Sequence, residues 1–137
     1  MTTRNFNTLS KVIIHCADTR INQSFSVDAC RKCHVEDNGW SDIGYHYYIE
    51  LDGTLHKGRN LEYVGSHCYG HNSSSIGICL EGGKNSDDTP WSKPLQAQLY
   101  SIKMLIGFLK TTFPRLTIHG HYEFSDKTCP NFDVNTL

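Results

Sequence analysis

The stretch Tyr45-His46-Tyr47-Tyr48-Ile49-Glu50-Leu51-Asp52-Gly53-Thr54-Leu55-His56-Lys57 decides the fold. Tyr45 to Leu51 is rich in aromatic and β-branched residues, which pack well on a pleated surface and predict a strand. Asp52-Gly53 is the dipeptide that tolerates the positive φ of a two-residue hairpin turn, so Thr54 to Lys57 is expected to return as the partner strand. Working outward, Lys11 to Cys16 (KVIIHC) and Ser75 to Glu81 (SIGICLE, closed by Gly82-Gly83) read as two further apolar strands, and Leu116 to His119 as a last short one. Between them, Ser26 is a candidate cap for a helix over residues 27–37, where Val27, Cys30, His34 and Asp37 recur near helical spacing and Gly39 ends the run. Lys84 to Trp91 is polar and loop-like. Ser92 is the expected cap of a longer helix, with Pro94 in its first turn and Leu95, Leu99, Ile102, Leu105, Ile106 and Leu109 on its inner face, running to about Thr112 before Pro114. The segment from Gly120 to Asp133 is irregular. The pattern predicts an α/β fold: a single domain over residues 11–137 with a central mixed β-sheet flanked by helices, preceded by an N-terminal extension of residues 1–10.

Composition narrows the function. The 137 residues suit one domain with a core of its own. Thirteen basic and 14 acidic residues nearly cancel, so the basic excess of a nucleic-acid binder is missing and nucleic acid is excluded as the main ligand. No window approaches the length of a transmembrane helix, and Val12-Ile13-Ile14 is too short for the apolar core of a signal peptide. Synthesis in the cytoplasm is therefore expected, where cysteines are more often buried, catalytic or metal-bound than paired.

The eight histidines and six cysteines are the surplus to be explained. Cys30-Arg31-Lys32-Cys33-His34 satisfies the C-x-x-C-H pattern of c-type haem attachment. The pattern is short, however, and the chain around it is strand-rich. On a helix Cys30 and His34 share a face one turn apart, so packing is the favoured reading, ahead of a small metal or redox site. A second cluster carries more chemistry. His15 ends the first strand, His119 and His121 would share one face of an extended strand, and Cys129 follows eight residues later in Asp126-Lys127-Thr128-Cys129-Pro130. Two imidazoles and a thiolate make a three-ligand set for zinc with a fourth position open. Spacing alone does not choose between His119 and His121.

At these residues the chain resembles the zinc-dependent N-acetylmuramoyl-L-alanine amidases of the T7 lysozyme type, relatives of the peptidoglycan recognition proteins. The resemblance rests on Ile13-Ile14-His15-Cys16, Gly39-Trp40-Ser41-Asp42-Ile43-Gly44-Tyr45-His46, Asp52-Gly53-Thr54 and Gly65-Ser66-His67. It continues through Asn72, Ser75-Ile76-Gly77-Ile78-Cys79-Leu80, His121-x-Glu123 and Lys127-x-Cys129-Pro130-x-Phe132-Asp133. It implies one zinc ion per chain, held by His15, His121 and Cys129, which settles the choice in favour of His121. It places Tyr45 and Lys127 at the two catalytic positions. The implied reaction is hydrolysis of the amide between N-acetylmuramic acid and L-alanine in bacterial peptidoglycan. A Lys127 ammonium would stabilise charge developing on the carbonyl oxygen, and the Tyr45 hydroxyl would hydrogen-bond the attacking water or pass a proton to the leaving amine.

Other residues receive weaker expectations. His67 and Asn72 are candidates to line the substrate cleft, and Arg59 to reach a carboxylate of the stem peptide. His46 is expected to point to the opposite sheet face from Tyr45 and to be structural. Cys16 and Cys79 are expected as core thiols, and a disulfide from Cys30 is an alternative on which the fold does not depend. The chain stops soon after Phe132-Asp133, where the relative continues into a further helix, and a separate wall-binding module is not expected. A monomer acting as a phage or prophage endolysin is the expected role, reaching the wall after membrane permeabilisation or non-classical delivery. The alternatives are a recognition module that binds peptidoglycan without catalysis, and a wall-recycling or antibacterial effector amidase.

Overall fold

A computed structural model describes all 137 residues. Its elements in chain order are β1 (Lys11–Cys16), β2 (Thr19–Arg20), α1 (Val27–Lys32), β3 (Tyr47–Ile49), β4 (Leu55–Lys57), β5 (Ser75–Leu80), β6 (Gly83–Lys84), α2 (Gln96–Thr112) and β7 (Thr117–Gly120). Five strands form one sheet in the order β4-β3-β5-β1-β7. The β3–β4 hairpin is antiparallel and every other pairing is parallel, so the sheet is mixed as expected. Gly53 supplies the positive φ of the hairpin turn, at 88°. A two-stranded parallel ribbon of β2 and β6 lies apart, and it takes in the Gly83 that sequence reading assigned to a closing turn.

Both faces of the sheet are covered, which is why β5 is buried along its whole length and β1 nearly so. Val12, Ile14, Ile76, Ile78 and Leu80 share a core with Ile102, Leu105 and Leu109 of α2. On the other face Val27 and Cys30 of α1 pack with Ile43, Tyr48 and Cys79. Side chains alternate along a strand, so His15, Ser75 and Gly77 fall on the face opposite α2. No helix is long and apolar enough to cross a membrane.

Of the boundaries that differ from those expected, three bear on the helices or the site. Ser26 caps α1 through its hydroxyl, which accepts from Ala29 N–H at 3.2 Å, but after Lys32 the helix widens into a π turn over Cys33–Asp37. Ser92 does not cap α2, which starts at Gln96 with Leu95 as its N-cap. There the buried Gln98 turns back: its oxygen accepts Leu95 N–H at 3.2 Å while its amide donates to the Glu81 carbonyl at 2.8 Å. Finally, β7 runs to Gly120 and His121 begins a 3-10 turn, so His119 and His121 do not alternate along one strand.

All six cysteines are free, which removes the disulfide alternative. The N-terminal extension is stitched to the domain. Thr3 pairs with Tyr63, and the Arg4 guanidinium donates to the carbonyls of Ser75 (2.7 Å) and Tyr63 (2.6 Å). His46 is fully buried and structural: its Nδ1 accepts Gly77 N–H at 3.0 Å and its Nε2–H donates to the Tyr63 carbonyl at 2.9 Å.

Burial, reinforced by the Arg4 charge, lowers His46 to a pKa of about 4. The unfolded chain therefore binds a proton that the folded one refuses between pH 6.5 and about 4, and stability falls as pH drops through that window. The contribution of His46 is on the order of 3 kcal/mol. In urea unfolding at stepped pH, the stability gap between wild type and His46→Gln should narrow by about that amount on acidification. A gap that stays constant across the window would show that His46 is not the titrating group.

Candidate metal centre

Parallel pairing of β1 with β7 puts the C-terminal ends of both strands at one edge of the sheet, where crevices of open α/β folds form. His15 stands near the end of β1 and His121 directly after β7, with ring centroids 4.5 Å apart. The irregular loop after His121 brings up Cys129. Its carbonyl accepts Tyr122 N–H at 2.9 Å, and the next carbonyl, of Pro130, accepts the Trp91 indole N–H at 2.9 Å. One donor atom each from His15, His121 and Cys129 lies within 4.8 Å of the others, a cluster that could hold a metal ion. His119, the rejected alternative, is tied elsewhere: its Nδ1 lies 2.9 Å from Glu123 Oε1.

The electrostatics favour ligation. Hydrogen bonding from Cys16, then from His121, pulls Cys129 well below the ordinary thiol range, while the same contact and burial push Cys16 up. The Cys16 backbone N–H also donates to Cys129 Sγ at 3.2 Å. Of two neighbouring thiols, Cys129 is the one held as thiolate, the form that binds metals.

Hydrogen bonding also fixes which nitrogen His15 offers. The Ser75 hydroxyl spends its proton on the His71 carbonyl at 2.7 Å, so at 3.3 Å it accepts the Nε2–H of His67. Burial holds His67 far below the ordinary histidine pKa, hence neutral, and its bare Nδ1 accepts the Nε2–H of His15 at 2.9 Å. Burial likewise keeps His15 neutral. Its Nδ1 is left with a free lone pair, and the chain of donors ends on a main-chain carbonyl. His67 fits only because residue 77 is glycine: a Cβ there would sit 2.6 Å from its ring.

The cluster forms the floor of a cleft of ≈ 870 Å³. Tyr45 and Lys127 both line it. The Tyr45 ring lies 5.2 Å from that of His15, and burial raises its phenol well above the ordinary value. Lys127 is exposed, its backbone N–H held by Ser125 Oγ at 3.2 Å. Asn72 also lines the cleft, but its side-chain oxygen is taken by the backbone N–H groups of His67 and Cys68, both at 2.9 Å. Arg59, expected at the substrate, lies elsewhere. It is buried away from the cleft, with its guanidinium donating to the carbonyls of Ile43 (3.0 Å), Val64 (2.8 Å) and Asp42 (3.1 Å), and it has no reach to a substrate carboxylate.

His34 and Trp40 were not expected here. Their rings lie 4.7 Å apart and form part of one wall, with His34 also 5.5 Å from Tyr45 and its Nδ1 accepting Gly44 N–H at 2.9 Å. The C-x-x-C-H run does pack as a helical face, with Cys30 Sγ 4.0 Å from His34 Nε2. Its histidine nevertheless has its other side in the cleft. Tyr69 is fully exposed among the lining residues.

Residues 5–132 match the family described as N-acetylmuramoyl-L-alanine amidase. The chain is 37% identical over 125 residues to the endolysin of Enterobacteria phage K11, covering 91% of this chain and 82% of that protein. It is also 37% identical to the endolysin of Escherichia phage T7, covering 90% and 81%. Among solved structures, the N-acetylmuramoyl-L-alanine amidase LysC from Clostridium intestinale superposes with a TM-score of 0.81 at 28% identity, covering 98% of this chain and 87% of that one. A bumblebee PGRP-SA structure superposes at 0.79 and 25% identity, covering 96% and 80%.

Removing a group that orients a metal-binding histidine commonly lowers metal affinity about ten- to hundredfold. His67→Ala should show a loss of that size in competition with a chromophoric chelator, and His67→Gln should recover part of it. Gly77→Ala should weaken binding too, by displacing the same ring. Unchanged affinity in His67→Ala would mean that His15 is oriented without this chain of hydrogen bonds.

Proposed function

The chain belongs to the N-acetylmuramoyl-L-alanine amidase family, and we propose that it is a zinc hydrolase that cuts the amide between the lactyl group of N-acetylmuramic acid and the L-alanine of the peptidoglycan stem peptide. The observation that carries this reading is the N,N,S donor cluster of His15, His121 and Cys129 on the floor of the cleft. The donor chemistry suits zinc: borderline imidazole with soft thiolate, three protein ligands and one open position. A tetrahedral ion with bonds of about 2.0–2.3 Å needs donors about 3.5 Å apart, and the three here lie within 4.8 Å of one another. When bound, zinc supplies Lewis-acid polarisation of the scissile carbonyl and acidification of a water.

The chain's own residues supply the rest. Lys127, two residues from the Cys129 ligand, brings a positive charge to the cleft where the carbonyl oxygen becomes negative during attack. Tyr45 enters with its phenolic proton in place, ready to hydrogen-bond the attacking water or to hand a proton to the departing amine. Neutral His67 holds His15 in one tautomer throughout. His34 and Trp40 form an aromatic wall on one side of the site. The role we assign is that of a phage or prophage endolysin, made in the cytoplasm and meeting the wall once the inner membrane has been opened, in keeping with the phage relatives.

Incubating the zinc-loaded protein with purified peptidoglycan and analysing products by mass spectrometry tests the reaction. Free L-alanine amines with intact glycan chains are expected. New reducing sugar ends, or binding with no zinc-dependent product, would overturn it. Lys127→Ala should keep its zinc content and lose about 10²–10³-fold in turnover, the cost typical of one lost oxyanion donor. Equal turnover would remove the role given to Lys127.

A further inference from the structure

Helix α2 has two apolar faces, and only one of them has a partner. Its inner face, with Ile102, Leu105 and Leu109, fills the core under the sheet. On the outer side Tyr100, Met104 and Phe108 are 68%, 62% and 66% exposed. They stand at i, i+4 and i+8, so they form one row about 12 Å long across successive turns. A single exposed apolar side chain is ordinary, whereas a continuous row of three large ones marks a surface that meets something.

Charge identifies what it meets. Lys103 and Lys110, both exposed and in no ion pair, lie one turn either side of residues 106–107 and flank the apolar row along one edge. From Thr89 to Tyr122 the sequence contains Lys93, Lys103, Lys110 and Arg115 and no aspartate or glutamate, although acidic residues outnumber basic ones over the whole chain. An apolar row beside a cationic row is the pattern of a helix that lies in a membrane interface, with aromatic and Met side chains among the acyl chains and lysines reaching the headgroups. A second copy of this chain fits poorly. A twofold contact through this face would set Lys103 and Lys110 against their own copies, with no carboxylate on the helix to neutralise them. An anionic bilayer satisfies both rows at once.

We propose that the outer face of α2, through Tyr100, Met104 and Phe108 with Lys103 and Lys110, docks the protein on anionic lipid bilayers. None of these residues lines the metal-centre cleft, so docking leaves that cleft open. The inference does not depend on the amidase reading, since vesicle binding is measured without peptidoglycan.

The test is cosedimentation of the full chain with large vesicles of phosphatidylglycerol mixed with phosphatidylethanolamine, and with vesicles of phosphatidylcholine alone. Binding to the anionic vesicles, weakened by added salt, and little to phosphatidylcholine is expected. The Met104→Ser and Phe108→Ser double variant should lose at least tenfold in partitioning while its circular dichroism stays native. Lys103→Glu with Lys110→Glu should also lose at least tenfold. In Tyr100→Trp, indole emission should shift to the blue on the anionic vesicles and be quenched by brominated lipid. Absence of binding, equal binding to both vesicle types, or binding unchanged in the variants would overturn the proposal. So would concentration-dependent dimerisation in sedimentation velocity that the double serine variant abolishes, which would assign the face to a second copy.

Discussion

The parallel pairing of β1 with both β5 and β7 is the constraint on which everything else rests. Parallel strands end at the same edge, so the residues that close β1 and follow β7 meet without any long loop having to fold onto the sheet. The same pairing buries β1 between two neighbours and two covering layers, which gives His15 a rigid and nearly water-free backbone. Only Cys129 arrives on irregular chain. There the structure compensates with main-chain anchors from Tyr122 and Trp91 rather than with secondary structure.

Low polarity at the centre turns hydrogen bonds into orientation. In water an imidazole samples both tautomers, but here the His71 carbonyl, the Ser75 hydroxyl and His67 each have one consistent role, and the sequence of roles reaches His15. The thiol pair obeys the same logic. Cys16 and Cys129 are neighbours, and the surrounding donors decide which of them gives up its proton. Gly77 belongs to this system although it bonds to no ligand, because the volume its missing side chain leaves is where His67 lies.

Much of the fold was legible because its signals are local. KVIIHC spans β1 residue for residue, Asp52-Gly53 makes the hairpin, and Ser26 caps α1. Departures came where a distant group overrode a local one. Ser92 is a good cap by type, yet Gln98 starts α2 later because its amide is needed at the Glu81 and Ile49 carbonyls at the strand ends. In the site, motif order pointed to His15, His121 and Cys129, and spacing alone left His119 in contention. The distinction is a turn at Gly120 and a bond to Glu123, neither of which has a periodic signature. Arg59 was misjudged because an arginine in sequence looks the same whether it faces solvent or ties three carbonyls together. His34 was half read: its helical partner was visible, its second face was not.

The clasp made by Arg4 ties the segment before β1 to the hydrogen bonds behind His15. Its guanidinium holds the carbonyl of Ser75, the residue whose hydroxyl receives the proton of His67, and the Tyr63 carbonyl to which His46 also donates. A residue in front of the first strand thus braces the hydrogen bonds that orient His15. Losing Arg4 would remove the group that fixes the Ser75 carbonyl, although none of residues 1–10 lines the cleft.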